Sequence, residues 1–325
     1  VKYDIRLDEK LIAENIEGTK FTLSNANELS SYTLYVRAKD KQNSFTETSV
    51  KFTTLKPGAE LLHKTANFEE LYRSFNVFKP SIVGTEKLPL VIFLHGYGGV
   101  VWPDMITDSF IDVAEKEKFL LLKPQAFSVS PGLPAWDSYS MRWDDTKFLT
   151  QLIDSMLLKY QADPERIYIT GFSNGGFMTF FLAKKFETRI AAVAPIAGLM
   201  DYYSFANFSL QKPMPLCYMH GTADSTVRVF TTPTHQGWDK VLGWFVQHNK
   251  ANATPIVTEM EDTYKWDYST VTKLEYSAEG SADIVYYRVN GGNHSIPGVQ
   301  PWSNKDISAY QVIWEFFKPR KLSDK

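Results

Sequence analysis

Two hydrophobic patterns succeed one another along the chain. Over residues 1–56, apolar and polar positions alternate with period two, in VKYDIRLD, KFTLSN, SYTLYVRAKD and TSVKFTTL, with polar turns between. Alternation of this kind belongs to half-buried strands, and no 3.6-residue period interrupts it. Residues 1–56 are therefore predicted to be a small all-β module. The stretch PGAELLHKTANFEE, residues 57–70, is predicted to be a linker. From residue 71 onward, apolar runs take turns with amphipathic ones. LPLVIFLHG, FLLLKP, RIYITGF, RIAAVAPIAG, MPLCYMHG and DIVYYRV read as strands. DMITDSFIDVAEKEK, DDTKFLTQLIDSMLLKY, NGGFMTFFLAKKF, GWDKVLGWFVQHN and DISAYQVIWEFFK read as helices, the last capped by Asp306. The alternation implies an α/β domain over residues 71–325, with a mostly parallel sheet covered on both faces.

Composition narrows the function. A chain of 325 residues with 44% hydrophobic content can bury a sizeable core. A net charge of −2 and scattered Lys and Arg leave no basic stripe for nucleic acid. No apolar run approaches the roughly 18 residues of a membrane span. The one cysteine, Cys217, lies in an apolar run and reads as a core thiol with no intramolecular partner. The chain opens at Val1, already inside a strand pattern, so the natural N-terminus and any signal peptide are expected to precede it. Aromatics make up 14% of the residues, a supply that suits a core and also a surface gripping sugars or aromatic rings. Metal-ligand spacing and phosphate-loop glycines are absent from the sequence, so neither metal nor cofactor is expected.

The chemistry centres on Gly171-Phe172-Ser173-Asn174-Gly175, between a strand pattern and a helix pattern. A strand that turns sharply into a helix strains the turn residue and lifts its side chain above the sheet edge. The flanking positions must be small because the two elements pass closely, a need met by Gly171 and Gly175. The helix N-terminus beneath the serine favours negative charge. Ser173 is therefore the candidate nucleophile, and it needs a base held by a carboxylate. Of six histidines, His294 stands in the glycine-rich loop NGGNHSIPG after a strand, whereas His63, His235 and His248 lie in connector or surface contexts. His95 and His220 each close an apolar strand, and His95 reads as structural. In a doubly wound sheet, loops after strand ends gather at one edge, which makes His294 the candidate base. Asp224, in HGTAD just past a buried strand, is the candidate acid, with Asp201 held in reserve. For an oxyanion hole, the backbone N–H of Asn174 and that of Tyr97, in FLHGYGGV, are the expected donors, with Gly98 as the near alternative.

With those residues in view, the chain resembles the bacterial poly(3-hydroxybutyrate) depolymerase and feruloyl esterase family of α/β-hydrolases. LHGYGG, DPERIYITGFSNGGFM, HGTAD, GGNHSIPG and DISAYQVIWEFF carry the likeness from about residue 70 to the end. The resemblance implies a secreted serine hydrolase of carboxylic esters, acting on feruloyl or acetyl esters of cell-wall polysaccharide or on short-chain polyesters. It maps the same Ser173, Asp224 and His294. The family loop commonly reads His-Thr-Trp-Pro-Gly, where this chain has His294-Ser295-Ile296-Pro297-Gly298. In the first 56 residues, ELSSYTLYVRAKD resembles late strands of a fibronectin type III domain, with Leu29 and Tyr32 at its tyrosine corner. Specificity is read from Trp136, in an irregular stretch, and Trp302, soon after the histidine loop, as candidate substrate contacts. The expected partner is a polymeric ester substrate. A serine peptidase on the same fold, or a non-catalytic carbohydrate-binding protein, is the competing reading.

Overall fold

The computed structural model describes residues 1–18, 21, 31–42, 44–53, 58–68, 71–81, 85–101, 108–130, 133–138 and 144–325. The chain divides into two compact units, Val1–Glu60 and Leu61–Lys325.

The first unit is one antiparallel sheet of β1 (Lys2–Leu7), β2 (Lys10–Ile16), β3 (Ser31–Lys39) and β4 (Phe45–Thr53), in the order β2-β1-β3-β4. VKYDIRLD, SYTLYVRAKD and TSVKFTTL thus become β1, β3 and β4, β2 comes from a stretch not read as a strand, and KFTLSN lies, apart from Phe21, outside the described residues. Tyr32 lies within β3, opposite Phe52, and Leu29 lies outside the described residues.

The second unit is built on a ten-stranded sheet. Its strands are β5 (Glu60–Phe68), β6 (Leu71–Lys79), β7 (Leu88–Leu94), β8 (Leu120–Pro124), β11 (Ala162–Phe172), β12 (Ala192–Ile196), β13 (Leu216–Gly221), β14 (Ile256–Glu259), β15 (Thr270–Tyr276) and β16 (Ile284–Asn290). The spatial order is β14-β15-β16-β13-β12-β11-β7-β8-β6-β5. A two-stranded ribbon of β9 (Ser128–Ser130) and β10 (Leu133–Pro134) stands apart from it. Six central neighbours, β8 through β16, pair in parallel, while β6, β14 and β15 join antiparallel. The helices are α1 (Asp108–Glu117), α2 (Asp145–Lys159), α3 (Asn174–Lys185), α4 (Tyr202–Ala206), α5 (Trp238–His248) and α6 (Ala309–Phe317). Among the described residues, no helix is long and apolar enough to cross a membrane.

Two sequence expectations are corrected. The stretch 57–70 is not a linker, because residues 60–68 form β5 at an edge of the large sheet. Edge strands need only weak apolar alternation, which made ELLHKTANF look like a connector. The last helix is capped by Ser308, whose hydroxyl accepts the Gln311 N–H, and not by Asp306. Asp306 instead accepts the N–H groups of Thr263 and Tyr264.

Central strands are apolar on both faces because helices cover both. Leu90, Val91 and Ile92 of β7 and Ala192, Val193 and Ala194 of β12 are fully buried. Burial also pushes the Cys217 thiol up to about 12, so it stays protonated within β13. Parallel pairing has one functional consequence: the C-terminal ends of β7, β11, β13 and β16 open onto the same sheet edge.

That edge is held together by backbone packed on backbone. A methyl group added at Gly175 would run into the Leu94 carbonyl and lie 2.7 Å from that of His95. One added at Gly221 would meet the Gly292 carbonyl and lie 2.6 Å from that of Asn293. Gly175→Ala is expected to lower unfolding stability by about 1–3 kcal/mol or more, as overpacking does when the neighbour is backbone that cannot move aside. Urea denaturation measures it, and an unchanged midpoint would contradict the close approach.

Candidate active site

Ser173 caps α3 at the end of β11 with φ 55° and ψ −118°. A non-glycine residue in this region is strained, and such strain persists only where the surroundings impose it. Here the Ser173 N–H donates to Ile196 O of β12 at 2.9 Å, while its carbonyl accepts the N–H groups of Gly176 and Phe177. The side chain makes no capping bond and is free for another partner.

That partner is His294, whose Nε2 lies 2.9 Å from Ser173 Oγ. Its Nδ1 lies 2.6 Å from Asp224 Oδ2. These three residues are 121 and 70 positions apart in sequence. They meet because β13 and β16 are neighbours in register, His220 opposite Arg288. The loops that follow are laced together, with Thr222 N donating to Val289 O and Ala223 N to Gly292 O, both at 2.9 Å.

Asp224 is buried and fully engaged. Its Oδ1 accepts the N–H groups of Thr226 and Val227 at 2.9 and 2.8 Å. Its Oδ2 faces His294 and also His220 Nε2, at 3.2 Å. His220 Nε2 lies 2.7 Å from Val227 O as well, and a carbonyl only accepts, so Nε2 carries the proton. His220 Nδ1 is then free to accept the Tyr218 hydroxyl. Burial raises that hydroxyl well above its ordinary value and keeps it protonated. Burial alone would also raise the Asp224 carboxyl. The hydrogen bonds from His220, His294 and the Val227 N–H outweigh it and hold the carboxyl well below the usual carboxylate range. Sequence reading gave His220 no role; its only sequence signal is its place four residues before the acid.

Asp201, the reserve acid, borders the cleft at Ser173, but it is Asp224 that bonds His294. Asp201 caps α4, accepting the N–H and the hydroxyl of Ser204.

The loop after β7 is shaped by His95. The Ala126 N–H donates to His95 Nε2 at 3.0 Å, which leaves the ring proton on Nδ1, bonded to Gly96 O at 2.7 Å. This matches the structural reading of His95. Gly98 (φ 70°) donates its N–H to Pro134 O at 2.8 Å, so that amide is spent within the loop. Between Tyr97 and Gly98, the Tyr97 N–H is therefore left as the candidate donor. The Asn174 N–H is one of the first amides of α3, which have no intrahelical acceptor.

Trp136 corrects an expectation. It is 2% exposed and offers no face to substrate. Its indole N–H donates to His95 O at 3.0 Å. The Asn174 side chain grips its backbone from both sides, Oδ1 accepting the Trp136 N–H at 2.7 Å and Nδ2 donating to Trp136 O at 3.1 Å. Trp136 and Asn174 thus tie the loop after β7 to the turn at Ser173. Trp302 is exposed, in a turn after the histidine loop. Ile296, where the family commonly has tryptophan, is fully buried.

A cleft of about 430 Å³ lies at Ser173, lined by Ser138, Asn174, Phe177, Asp201 and His235. It shares Ser138, Phe177 and Asp201 with a neighbouring pocket of about 240 Å³, walled by Phe180, Phe181, Leu199, Met200 and Phe208.

The sequence profile of the phospholipase/carboxylesterase family matches residues 82–254, more than half of the chain. The chain belongs to that family. A bifunctional acetylxylan esterase/xylanase of Neocallimastix patriciarum is 30% identical over 155 residues, covering 48% of this chain and 22% of that protein. Feruloyl esterase D of Neurospora crassa is 27% identical over 175 residues, covering 54% of this chain and 55% of that one. The chain therefore spans only a fifth to about half of these relatives. Among solved structures, an acetyl xylan esterase from Aspergillus awamori superposes with a TM-score of 0.56 at 15% identity, covering 80% of this chain and 99% of that one. At that identity the likeness concerns the fold, which is the α/β-hydrolase fold expected from the sequence.

The depressed carboxyl carries a stability prediction. Such a group contributes stability that is present above its unfolded value, about 3.9, and is lost as pH falls through the folded one. Wild type should therefore exceed Asp224→Asn most clearly near neutral pH, and the gap should narrow below about pH 4. Urea titrations at pH 7, 5 and 3 measure it; a gap independent of pH would refute the assignment.

Proposed function

We propose that this chain is the catalytic part of a secreted serine carboxylic-ester hydrolase, acting on feruloyl or acetyl esters of plant cell-wall polysaccharide or on a related polyester. The observation that carries the reading is the continuous path from Ser173 Oγ through His294 to Asp224, at 2.9 and 2.6 Å. In this mechanism Ser173 Oγ attacks the ester carbonyl and passes its proton to His294 Nε2. Asp224, ionised, fixes the imidazole tautomer and stabilises the imidazolium. The carbonyl oxygen, now negative, sits against the N–H groups of Tyr97 and Asn174. His294 protonates the departing alcohol, and water repeats the sequence on the acyl-enzyme.

The pocket beyond Phe177 supports a bulky apolar acyl group. Phe180, Phe181, Leu199, Met200 and Phe208 give it an apolar floor, Lys184, Lys185 and Asn207 stand along its rim, and Ser138 and Asp201 lie at the junction with the cleft. An aromatic or medium-length acyl chain buries surface there that acetate cannot reach. Secretion is supported by the resemblance in sequence, and a polymeric substrate also by the relative named an acetylxylan esterase/xylanase.

Ser173→Ala should reduce turnover of p-nitrophenyl butyrate and methyl ferulate by at least about 10³-fold, since loss of a nucleophile removes the acyl-transfer route. Residual Ser173-independent hydrolysis would sink the mechanism. Activity on methyl ferulate favours the cell-wall reading, and clearing of poly(3-hydroxybutyrate) with little ferulate turnover favours the polyester one. Phe177→Ala should weaken kcat/KM for methyl ferulate roughly tenfold while sparing p-nitrophenyl acetate, because the lost apolar contact matters only to the larger group. Equal losses on both esters would place the acyl group elsewhere. His220→Leu should lower kcat roughly ten- to a hundredfold with KM nearly unchanged, because a hydrogen bond to a charged group contributes about 1.5–3 kcal/mol. His220→Gln, which keeps an N–H donor, should recover part of the loss; equal defects in the two variants would count against this role.

A further inference from the structure

We propose that Tyr264, Trp266, Tyr268 and Trp302 form an aromatic platform that binds a polysaccharide chain beside the catalytic cleft. The proposal rests on the reading of the site as one that cleaves esters carried on polysaccharide, and names where the carrier is held.

These four side chains are 47%, 76%, 84% and 65% exposed. Large aromatic rings left in water in one region of a folded protein mark a binding surface more often than chance. The loops that carry them are not loose. Asp267 Oδ1 accepts the N–H and hydroxyl of Ser269 at 2.9 and 2.8 Å, and its Oδ2 accepts the Lys305 N–H at 2.7 Å. Asp306 Oδ1 accepts the N–H groups of Thr263 and Tyr264 at 2.8 and 3.3 Å. Asn304 Nδ2 donates to Ser269 Oγ at 3.0 Å and to Asp306 Oδ2 at 2.9 Å. The segment bearing Tyr264, Trp266 and Tyr268 is thereby cross-tied to the one bearing Trp302. Tyr268 is held at φ 57°, a left-handed conformation unfavourable for an aromatic residue, with its ring in solvent. A conformation of this sort persists only where the surroundings impose it, here the Asp267 and Ser269 bonds on either side.

The platform adjoins the reaction centre through the backbone. A methyl group on Gly291, three residues before His294, would lie 2.9 Å from Tyr268 O. Gln300, in the turn that carries Trp302, accepts the N–H of Ile296, two residues after His294, at 2.7 Å. Both aromatic segments therefore buttress the loop that holds the base.

The chemistry selects the occupant. Flat rings match the C–H faces of pyranose units, and tyrosine hydroxyls at their edges can bond sugar hydroxyls. Lys265 and Glu261, both exposed, add polar partners suited to a hydroxyl-rich chain. A polyester has neither flat sugar faces nor hydroxyl donors along its length. Rigid rings on fixed loops reduce the ordering cost of binding a stiff polymer. Holding the polymer also raises the effective concentration of its ester groups at Ser173.

The test uses the full chain. Ser173→Ala protein, which should not deplete esters, is incubated with insoluble arabinoxylan, with poly(3-hydroxybutyrate) granules and with soluble xylohexaose. Retention on arabinoxylan and a xylohexaose-dependent change in tryptophan fluorescence are expected. Trp266→Ala and Trp302→Ala in that background should each reduce retention at least fivefold. In the active protein, Trp266→Ala should lower the ratio of ferulate release from arabinoxylan to methyl ferulate turnover by a similar factor. No retention on arabinoxylan, retention unaffected by either tryptophan, or equal retention on polyester granules would overturn the proposal. So would a dimer, seen by sedimentation, that dissociates on Trp266→Ala and binds no sugar. Failure of the ester-hydrolase reading is separate: it would appear as Ser173-independent turnover of methyl ferulate, whatever the binding result.

Discussion

The near-contact of α3 with the end of β7 is the constraint on which the site depends. Gly175 rests against the carbonyls of Leu94 and His95. That approach sets how steeply the chain must turn at Ser173, and so its positive φ. It also sets the loop after β7 directly beside Ser173. Trp136 and the Asn174 side chain then lock this arrangement, one through an indole bond to His95 O and the other through a two-point grip on the Trp136 backbone. The strain at the serine is sustained by a rigid frame of backbone and buried aromatic rings.

A second frame holds Asp224. Asp224 is buried, and a buried carboxylate is costly unless its oxygens are bonded. Two amides, His220 and His294 meet that need. The bonds that keep Asp224 ionised in a dry setting also fix its direction toward His294. The network continues inward to His220 and Tyr218, and Tyr218 stacks on Trp238 with centroids 3.7 Å apart. The Asp224 network and the core packing are thus one structure on this side of the sheet. Gly221 allows it, since the two loops could not approach with a side chain there.

Along the chain, the parts that were legible are those governed by local physics. Period-two alternation made β1, β3 and β4 visible, and fully apolar runs made β7, β8, β11, β12, β13 and β16 visible. The G-x-S-x-G turn, the aspartate after an apolar strand and the histidine in a glycine-rich loop pointed to Ser173, Asp224 and His294 because each sits where a strand ends. The edge strands β5 and β14 were missed, and so were β6 and β15, each one strand in from an edge. An edge needs burial on fewer sides, so its pattern is weak: β14 is exposed at every position. Asp306 looked like a helix cap by its place before an apolar run, but a nearer Ser308 took that role and left Asp306 to a loop 42 positions away.

The sequence by itself determined the alternation of elements, the sharp turn at Ser173 and the family to which the chain belongs, because these depend on side-chain size, periodicity and spacing over short stretches. Tertiary structure alone decided which histidine meets which carboxylate. His294 reaches Asp224 across 70 positions because β13 and β16 are neighbours in the sheet, and there it shares the carboxylate with His220, four residues before it. It also decided that Trp136 is an internal strut while Trp302 faces water. No local pattern distinguishes two tryptophans in irregular segments; what differs is the surface each finds when the distant segments pack.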